Sequence, residues 1–165
     1  MSVHTPKLRL AVIGNGMVGQ RFLEALINEA PARFAVDVVC EEPRLAYDRV
    51  HLSEFFCGKN AADLALAEEG FFRQHGIGVR VADAAVSIDR AHRRIVTAQG
   101  VQLDYDKLVM ATGSFPFVPQ LPGRDRPHCF VYRTIEDLEG IRAAGSQSGP
   151  HPALIKLTAS ATVIC

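Results

Sequence analysis

Short apolar runs and stretches of helical spacing alternate along the chain from its start. Leu8 to Ile13 is an apolar run broken by one arginine, and it stops at Gly14. From Met17 to Ile27 the apolar positions recur at helical spacing, with Val18, Phe22, Leu23 and Leu26 as the expected buried stripe. Ala35 to Cys40 (AVDVVC) is a second, β-branched run. The opening therefore reads strand, glycine turn, helix, strand, the two strands adjacent and parallel.

Glu41 to Gly58 has the irregular composition of a long loop, and Ala61 to His75 resumes helical spacing through Leu64, Leu66, Phe71 and Phe72, with His75-Gly76 as its stop. Val79 to Val81 reads as a short strand. Ala84 to Ile88, Arg94 to Thr97 and Val101 to Asp104 follow as an antiparallel meander, separated by Asp-Arg and Gln-Gly turns. Tyr105 to Ala111 (YDKLVMA) is a further buried strand, ending in Thr112-Gly113-Ser114 and a stretch with Pro116, Pro119 and Pro122. Glu136 to Ala144 is expected to be a short helix and Ser146 to Pro152 a linker. The expected fold is α/β, a Rossmann-like doubly wound parallel sheet with an antiparallel β-meander inserted as a crossover.

Composition narrows the function classes. In 165 residues, 48% are apolar and 22% charged, which fits one packed globular module. Lys plus Arg equals Asp plus Glu at 18 each, so nothing electrostatic recommends nucleic acid or a membrane surface as partner. The polar start lacks the pattern of a secretory signal or transit peptide, and no apolar run approaches the roughly 20 residues of a membrane span. The cytoplasm is the expected compartment. Cys40, Cys57, Cys129 and Cys165 show no CxxC spacing, so no metal site is read from them and they are expected to be isolated buried thiols.

Candidate chemistry sits at the first turn. Gly14-Asn15-Gly16-Met17-Val18-Gly19 fits GxGxxG between a strand and a helix. Gly14 makes the tight turn, Gly16 lets a pyrophosphate approach the backbone, and Gly19 allows close packing of helix on strand. The helix amino terminus then faces the phosphates with unpaired N–H groups. A carboxylate at the end of the second strand can accept hydrogen bonds from ribose hydroxyls, a role that falls to Glu41, with Glu42 as the alternative. These elements bind the ADP half shared by NAD and FAD and do not distinguish the two.

Further stretches resemble a known family. Ala46 to Ser53 (AYDRVHLS) looks like the Y-x-R-x-x-L-S segment of FAD-dependent pyridine nucleotide reductases, and Leu108 to Ser114 (LVMATGS) resembles their second flavin motif. Together with IGNGMVGQRF at Ile13 to Phe22, CEEPRLAYDRVHLS at Cys40 to Ser53 and FVYRTIEDL at Phe130 to Leu138, the chain resembles the large subunits of NAD(P)H-dependent nitrite reductases over residues 7 to 148.

The resemblance implies an FAD site. Gly14, Asn15, Gly16, Met17, Val18 and Gly19 would form its phosphate loop, Glu41 or Glu42 would bind the adenosine ribose, and Arg49 would neutralise phosphate charge. Ala111, Thr112 and Gly113 would bring backbone close to the flavin. The bland alternative for Arg49 is an ion pair with Asp48 or Glu54, and His51 is expected to be exposed without a task. Where ferredoxin and rubredoxin reductases carry a lysine after Leu-Ser, this chain has Glu54, and no CxxxxC redox pair follows. The full-length parent would take hydride from NAD(P)H onto FAD and pass electrons through an iron-sulfur cluster to sirohaem, reducing nitrite to ammonia. Its NAD(P)H-binding and sirohaem domains and a small subunit are the implied partners. No catalytic acid, base or nucleophile is expected here, because the flavin carries the chemistry.

By the same resemblance, His151 to Cys165 (HPALIKLTASATVIC) should hold the glycine-rich start of an NAD(P)H unit, and it contains no glycine. Residues 1–148 thus read as the flavin-binding portion and 149–165 as a linker with an atypical, truncated tail. The alternatives are a flavin-binding module without turnover, a shortened product that does not fold durably, and a ferredoxin or rubredoxin reductase-type flavoprotein.

Overall fold

The computed structural model describes residues 6–30, 32–127, 129–147, 154–157 and 161–164. The chain divides into two compact units, Met1–Tyr47 with Ala65–Gly113, and Asp48–Leu64 with Ser114–Cys165.

In the first unit the elements are β1 (Leu8–Ile13), α1 (Met17–Glu29), β2 (Phe34–Val39), α2 (Glu69–His75), β3 (Gly78–Arg80), β4 (Ala85–Asp89), β5 (Arg94–Thr97), β6 (Gln102–Asp104) and β7 (Lys107–Met110). β3, β2, β1 and β7 lie in that order in one parallel sheet, with Ile13 opposite both Val39 and Met110. β4, β5 and β6 form a separate antiparallel meander within the β3-to-β7 crossover. This is the doubly wound sheet with an inserted meander that the sequence pattern predicts.

The alternation of side chains along β1 explains the two layers. Leu10 and Val12 pack with Val36 and Val38 against Leu23 of α1 and Phe72 of α2. Ala11 and Ile13 point to the other face and pack with Val39, Ile95 of the meander and Tyr105. With both faces covered, the central strands tolerate continuous apolar runs.

Several expectations are corrected. Val18 is 73% exposed, whereas the rest of the expected stripe faces the core, with Leu23 buried and Phe22 and Leu26 packed against it. The helix expected over Ala61 to His75 is confined to Glu69–His75. Before it, the Asn60 side chain accepts the N–H groups of Ala62 and Asp63, a local turn that competes with helix, and Ala65 bridges to Tyr47. Its end is as expected, Gly76 adopting φ 62° with Ile77 N–H donating to the Phe72 carbonyl. Tyr105 lies outside β7, since its N–H bonds to the Arg93 carbonyl and its ring joins the core. Cys40 is buried as expected, whereas Cys57 is exposed and Cys129 half-buried; Cys165 lies outside the described residues.

Ala82, between β3 and β4, has φ 53° without being glycine, while its N–H donates to the Glu42 carbonyl at 2.9 Å. The left-handed region costs a side-chain-bearing residue about 1–2 kcal/mol, part of which glycine's freer unfolded chain offsets. Ala82→Gly is therefore expected to raise stability by about 0.5–1 kcal/mol, read from the urea unfolding midpoint.

The second unit contains a 3₁₀ turn at Leu52–Cys57, β8 (Phe130–Val131), α3 (Ile135–Gln147), β9 (Leu154–Leu157) and β10 (Ala161–Ile164). α3 begins where Thr134 Oγ1 accepts the Asp137 N–H and Asp137 Oδ2 accepts the Thr134 N–H, a reciprocal cap. That cap starts the helix one residue before the expected Glu136, and Gln147 ends it inside the expected linker, whose remaining residues 148–152 lie outside the described ones. β10 pairs antiparallel with both β8 and β9, so strands occur within the stretch expected to be an atypical tail. Among the described residues no helix is long and apolar enough to cross a membrane.

Candidate dinucleotide-binding site

The carboxyl ends of β1, β2 and β7 lie side by side at one edge of the sheet in the first unit. The chain leaves β1 for β2 on one side and returns to β7 on the other, so the end of β1 is the point where strand order reverses. Open parallel sheets bind ligands at such a crevice. Gly14 to Gly19 occupy it.

The three motif glycines meet three different demands. Gly14 has φ 103°, and a Cβ on it would overlap the Ala111 carbonyl. A Cβ on Gly19 would overlap the Gly14 carbonyl, so α1 can sit this close to the turn only with glycine there. Gly16, by contrast, has open space in front of it, with nothing within 4 Å of an added Cβ. Structure inside this chain requires Gly14 and Gly19; it does not require Gly16.

Gly16 is also the N-cap of α1, a 13-residue helix whose amino terminus has no side-chain cap and no acidic residue in its first turn. The N–H groups of Met17 and Val18 are left unpaired by helix geometry, and the positive end of the helix dipole is uncompensated. An open approach and unsatisfied donors together suit an anion such as a pyrophosphate. Exposed Val18, in that first turn, and Met110, 64% exposed at the end of β7, add apolar surface at the same strand ends.

At the end of β2 the two candidate acids differ. Tyr47, itself buried, donates its hydroxyl to Glu42 Oε2 at 2.8 Å, while the Glu42 carbonyl accepts the Ala82 N–H at 2.9 Å. Glu41 is exposed, and its carboxylate makes no hydrogen bond or ion pair among the described residues. Of the two, Glu41 presents a carboxylate available to a ligand. Nothing in the sequence pattern marked Tyr47 as the residue that decides between them.

Ala111 donates its N–H to the Ile13 carbonyl at 2.7 Å, which carries the end of β7 up to the glycine turn. Thr112 and Gly113 follow, both exposed, with Gly113 at φ 69°. The first unit thus brings together the motif glycines, Asn15, Met17, Val18, Glu41, Glu42 and Ala111 to Gly113.

Arg49 belongs to the second unit, where its Nη1 donates to the Arg133 carbonyl at 3.3 Å. Of its suggested ion-pair partners, Asp48 is engaged by His51 and Glu54 by Lys59. His51 is exposed, as expected, but has a structural contact, its Nδ1 lying 2.7 Å from Asp48 Oδ2, while Asp48 Oδ1 accepts the Val50 N–H.

That contact holds the Asp48 carboxyl below its ordinary range, chiefly through the His51 ring and then through the Val50 and His51 N–H groups. The same bond, with the carboxylate charge, raises the His51 imidazole. The histidine's contribution is complete below its ordinary pKa of about 6.5 and lost as pH rises through the raised value. The aspartate's is present above about 4 and lost as pH falls through the lowered value. The pair therefore steadies this turn between those limits. His51→Gln is expected to lower the melting temperature at about pH 5.5 and to have little effect at about pH 8.5.

Comparison with known proteins identifies the family and the fold. Residues 8–164 match the sequence profile of the family described as pyridine nucleotide-disulphide oxidoreductase. The nitrite reductase (NADH) large subunit of Escherichia coli strain K12 is 51% identical over 143 residues, covering 86% of this chain and 17% of that protein. The nitrite reductase [NAD(P)H] large subunit of Klebsiella oxytoca is 48% identical over 143 residues, 85% of this chain and 15% of that protein. The crystal structure of NADH:rubredoxin oxidoreductase from Clostridium acetobutylicum superposes with a TM-score of 0.74 at 22% identity, over 86% of this chain and 36% of that one. At that identity the structural likeness establishes the fold. The chain spans less than a fifth of the length of these two curated relatives, 17% and 15%.

Proposed function

The chain belongs to the pyridine nucleotide-disulphide oxidoreductase family, and from that membership we propose that it is the FAD-binding amino-terminal portion of an NAD(P)H-dependent oxidoreductase of the nitrite reductase large-subunit type. The observation that carries this reading is the open approach at Gly16 beside an uncapped, acid-free helix terminus, at the point where strand order reverses.

In this reading Gly14 and Gly19 shape the turn, and the N–H groups of Gly16, Met17 and Val18 receive the pyrophosphate. The Glu41 carboxylate accepts the adenosine ribose hydroxyls, Arg49 neutralises phosphate charge, and the backbone from Ala111 to Gly113 lies along the flavin. When bound, FAD supplies the capacity to accept a hydride from NAD(P)H. This chain's own residues bind and orient the cofactor.

Identity near one half to nitrite reductase large subunits favours nitrite, reduced to ammonia, as the parent's reaction. An NAD(P)H-binding domain, an iron-sulfur cluster, sirohaem and a small subunit would belong to that parent, and the cytoplasm to its setting. Residues 1–148 would make up the flavin portion, with 149–165 leading out of it.

The test is a titration of the 165-residue chain with FAD, followed by flavin fluorescence and absorbance, with ADP as competitor. Saturable binding displaced by ADP supports the reading. A chain that unfolds cooperatively but leaves the flavin signal unchanged overturns it. Addition of NADH to the loaded chain then separates a module that only holds flavin from one in which the flavin bleaches.

A further inference from the structure

We propose that Asn15 is a positioning residue that fixes the loop carrying Glu41 relative to the glycine turn, so that the site recognises the ADP portion of its ligand as one rigid span from pyrophosphate to ribose. This rests on the FAD-binding reading above.

Asn15 is a polar side chain in a position that does not need one for the turn itself, yet only 4% of it is exposed. Its Oδ1 accepts the N–H of Ala46 at 3.1 Å, 31 residues away in sequence, and Ala46 is fully buried. That bond fixes which end of the amide is oxygen. The other end, Nδ2, is buried without a partner among the described residues, an energetic penalty that a smaller apolar residue would avoid. The acceptor is therefore the end with a task.

Ala46 closes the loop that begins at Glu41. On one side of that loop the Glu42 carbonyl accepts the Ala82 N–H and the Glu42 carboxylate accepts the Tyr47 hydroxyl. On the other side the Ala46 carbonyl accepts the Leu66 N–H at 2.8 Å, and its N–H goes to Asn15. These bonds pin the loop at both ends and leave Glu41 projecting. The Asn15 bond ties it directly to the residue between Gly14 and Gly16. Gly14 is fixed in turn, its N–H donating to the Val39 carbonyl at 2.8 Å. Phosphate donors and ribose acceptor thus share one framework.

A double-mutant cycle tests this, because residues that act through one another have non-additive effects. In the wild-type chain Glu41→Gln is expected to weaken FAD binding about tenfold. In an Asn15→Ala background the same change is expected to cost less than about twofold, since Glu41 is no longer held in place. Asn15→Asp keeps the acceptor for the Ala46 N–H, so there Glu41→Gln again costs about tenfold, whatever the added charge does to absolute affinity. The aspartate variant also keeps the cycle informative if the alanine variant does not fold.

A ligand-free readout accompanies it. Amide hydrogen exchange at Ala46 is expected to speed up in Asn15→Ala and to stay slow in Asn15→Asp, while the Gly14 amide remains protected in both. Equal cost of Glu41→Gln in all backgrounds, or unchanged Ala46 exchange in Asn15→Ala, overturns the role of Asn15 and leaves the FAD reading standing. Absence of FAD binding by the folded wild-type chain overturns both.

Discussion

Gly14→Ala is expected to destabilise the first unit by about 2–5 kcal/mol. Two costs add. The backbone at φ 103° lies where a side chain is strained, worth about 1–2 kcal/mol. The new methyl would also overlap the Ala111 carbonyl, and overpacking against fixed atoms costs a further 1–3 kcal/mol or so.

Neither partner can step aside cheaply, because Ala111 N–H is bonded to Ile13 and Gly14 N–H to Val39, so movement of either loosens the end of a strand pair. Against a total of roughly 5–15 kcal/mol for a typical domain, this is a large fraction. Urea unfolding of the variant beside Gly76→Ala gives the comparison. Gly76 has φ 62° but nothing within 4 Å of an added Cβ, so alanine there incurs strain alone. Equal losses at the two positions would mean that the close approach of Ala111 does not govern Gly14.

The sequence made β1, the glycine turn, α1 and β2 readable because each is a local pattern closed within a few residues of itself. Arg94 to Thr97 was read to the residue for the same reason, a short strand bounded by turns. The segment from Ala61 was misread because apolar spacing at Leu64 and Leu66 imitates a helix, while the chain satisfies its backbone through Asn60 and the Tyr47 bridge. The division into two units was not legible. In the second unit, the Arg49 bond to the Arg133 carbonyl and the stacking of Phe56 on Tyr132 join segments over 70 residues apart, which no window of sequence encodes.

The candidate site was legible to a similar depth. The motif glycines announced their positions, and the structure separates them into two that packing demands and one it does not. The choice between Glu41 and Glu42 depended on a tyrosine hydroxyl, and the use of Asn15 on a backbone N–H in the following loop. Both are contacts made by folding, so residue type and spacing left them open.

Gly16→Glu is expected to lower FAD affinity at least about 100-fold, roughly 2.7 kcal/mol, while leaving the melting temperature unchanged or slightly higher. The two outcomes follow from one geometry. Gly16 has φ −91°, which any residue adopts, and open space where its Cβ would stand, so the fold has no objection to a side chain there. A carboxylate at the amino terminus of α1 faces the unpaired N–H groups and the positive end of the helix, a contact worth about 0.3–1 kcal/mol to the folded chain. For a pyrophosphate the same carboxylate is a like charge occupying its approach and competing for its donors. Thermal melting and flavin titration run side by side on this variant separate the cases. If both stability and binding fall, Gly16 is structural and the approach lies elsewhere. If neither falls, the ligand does not meet the glycine turn. A loss of binding alone, set against the loss of stability at Gly14, would divide one short motif into a residue that builds the turn and a residue that leaves room for the anion.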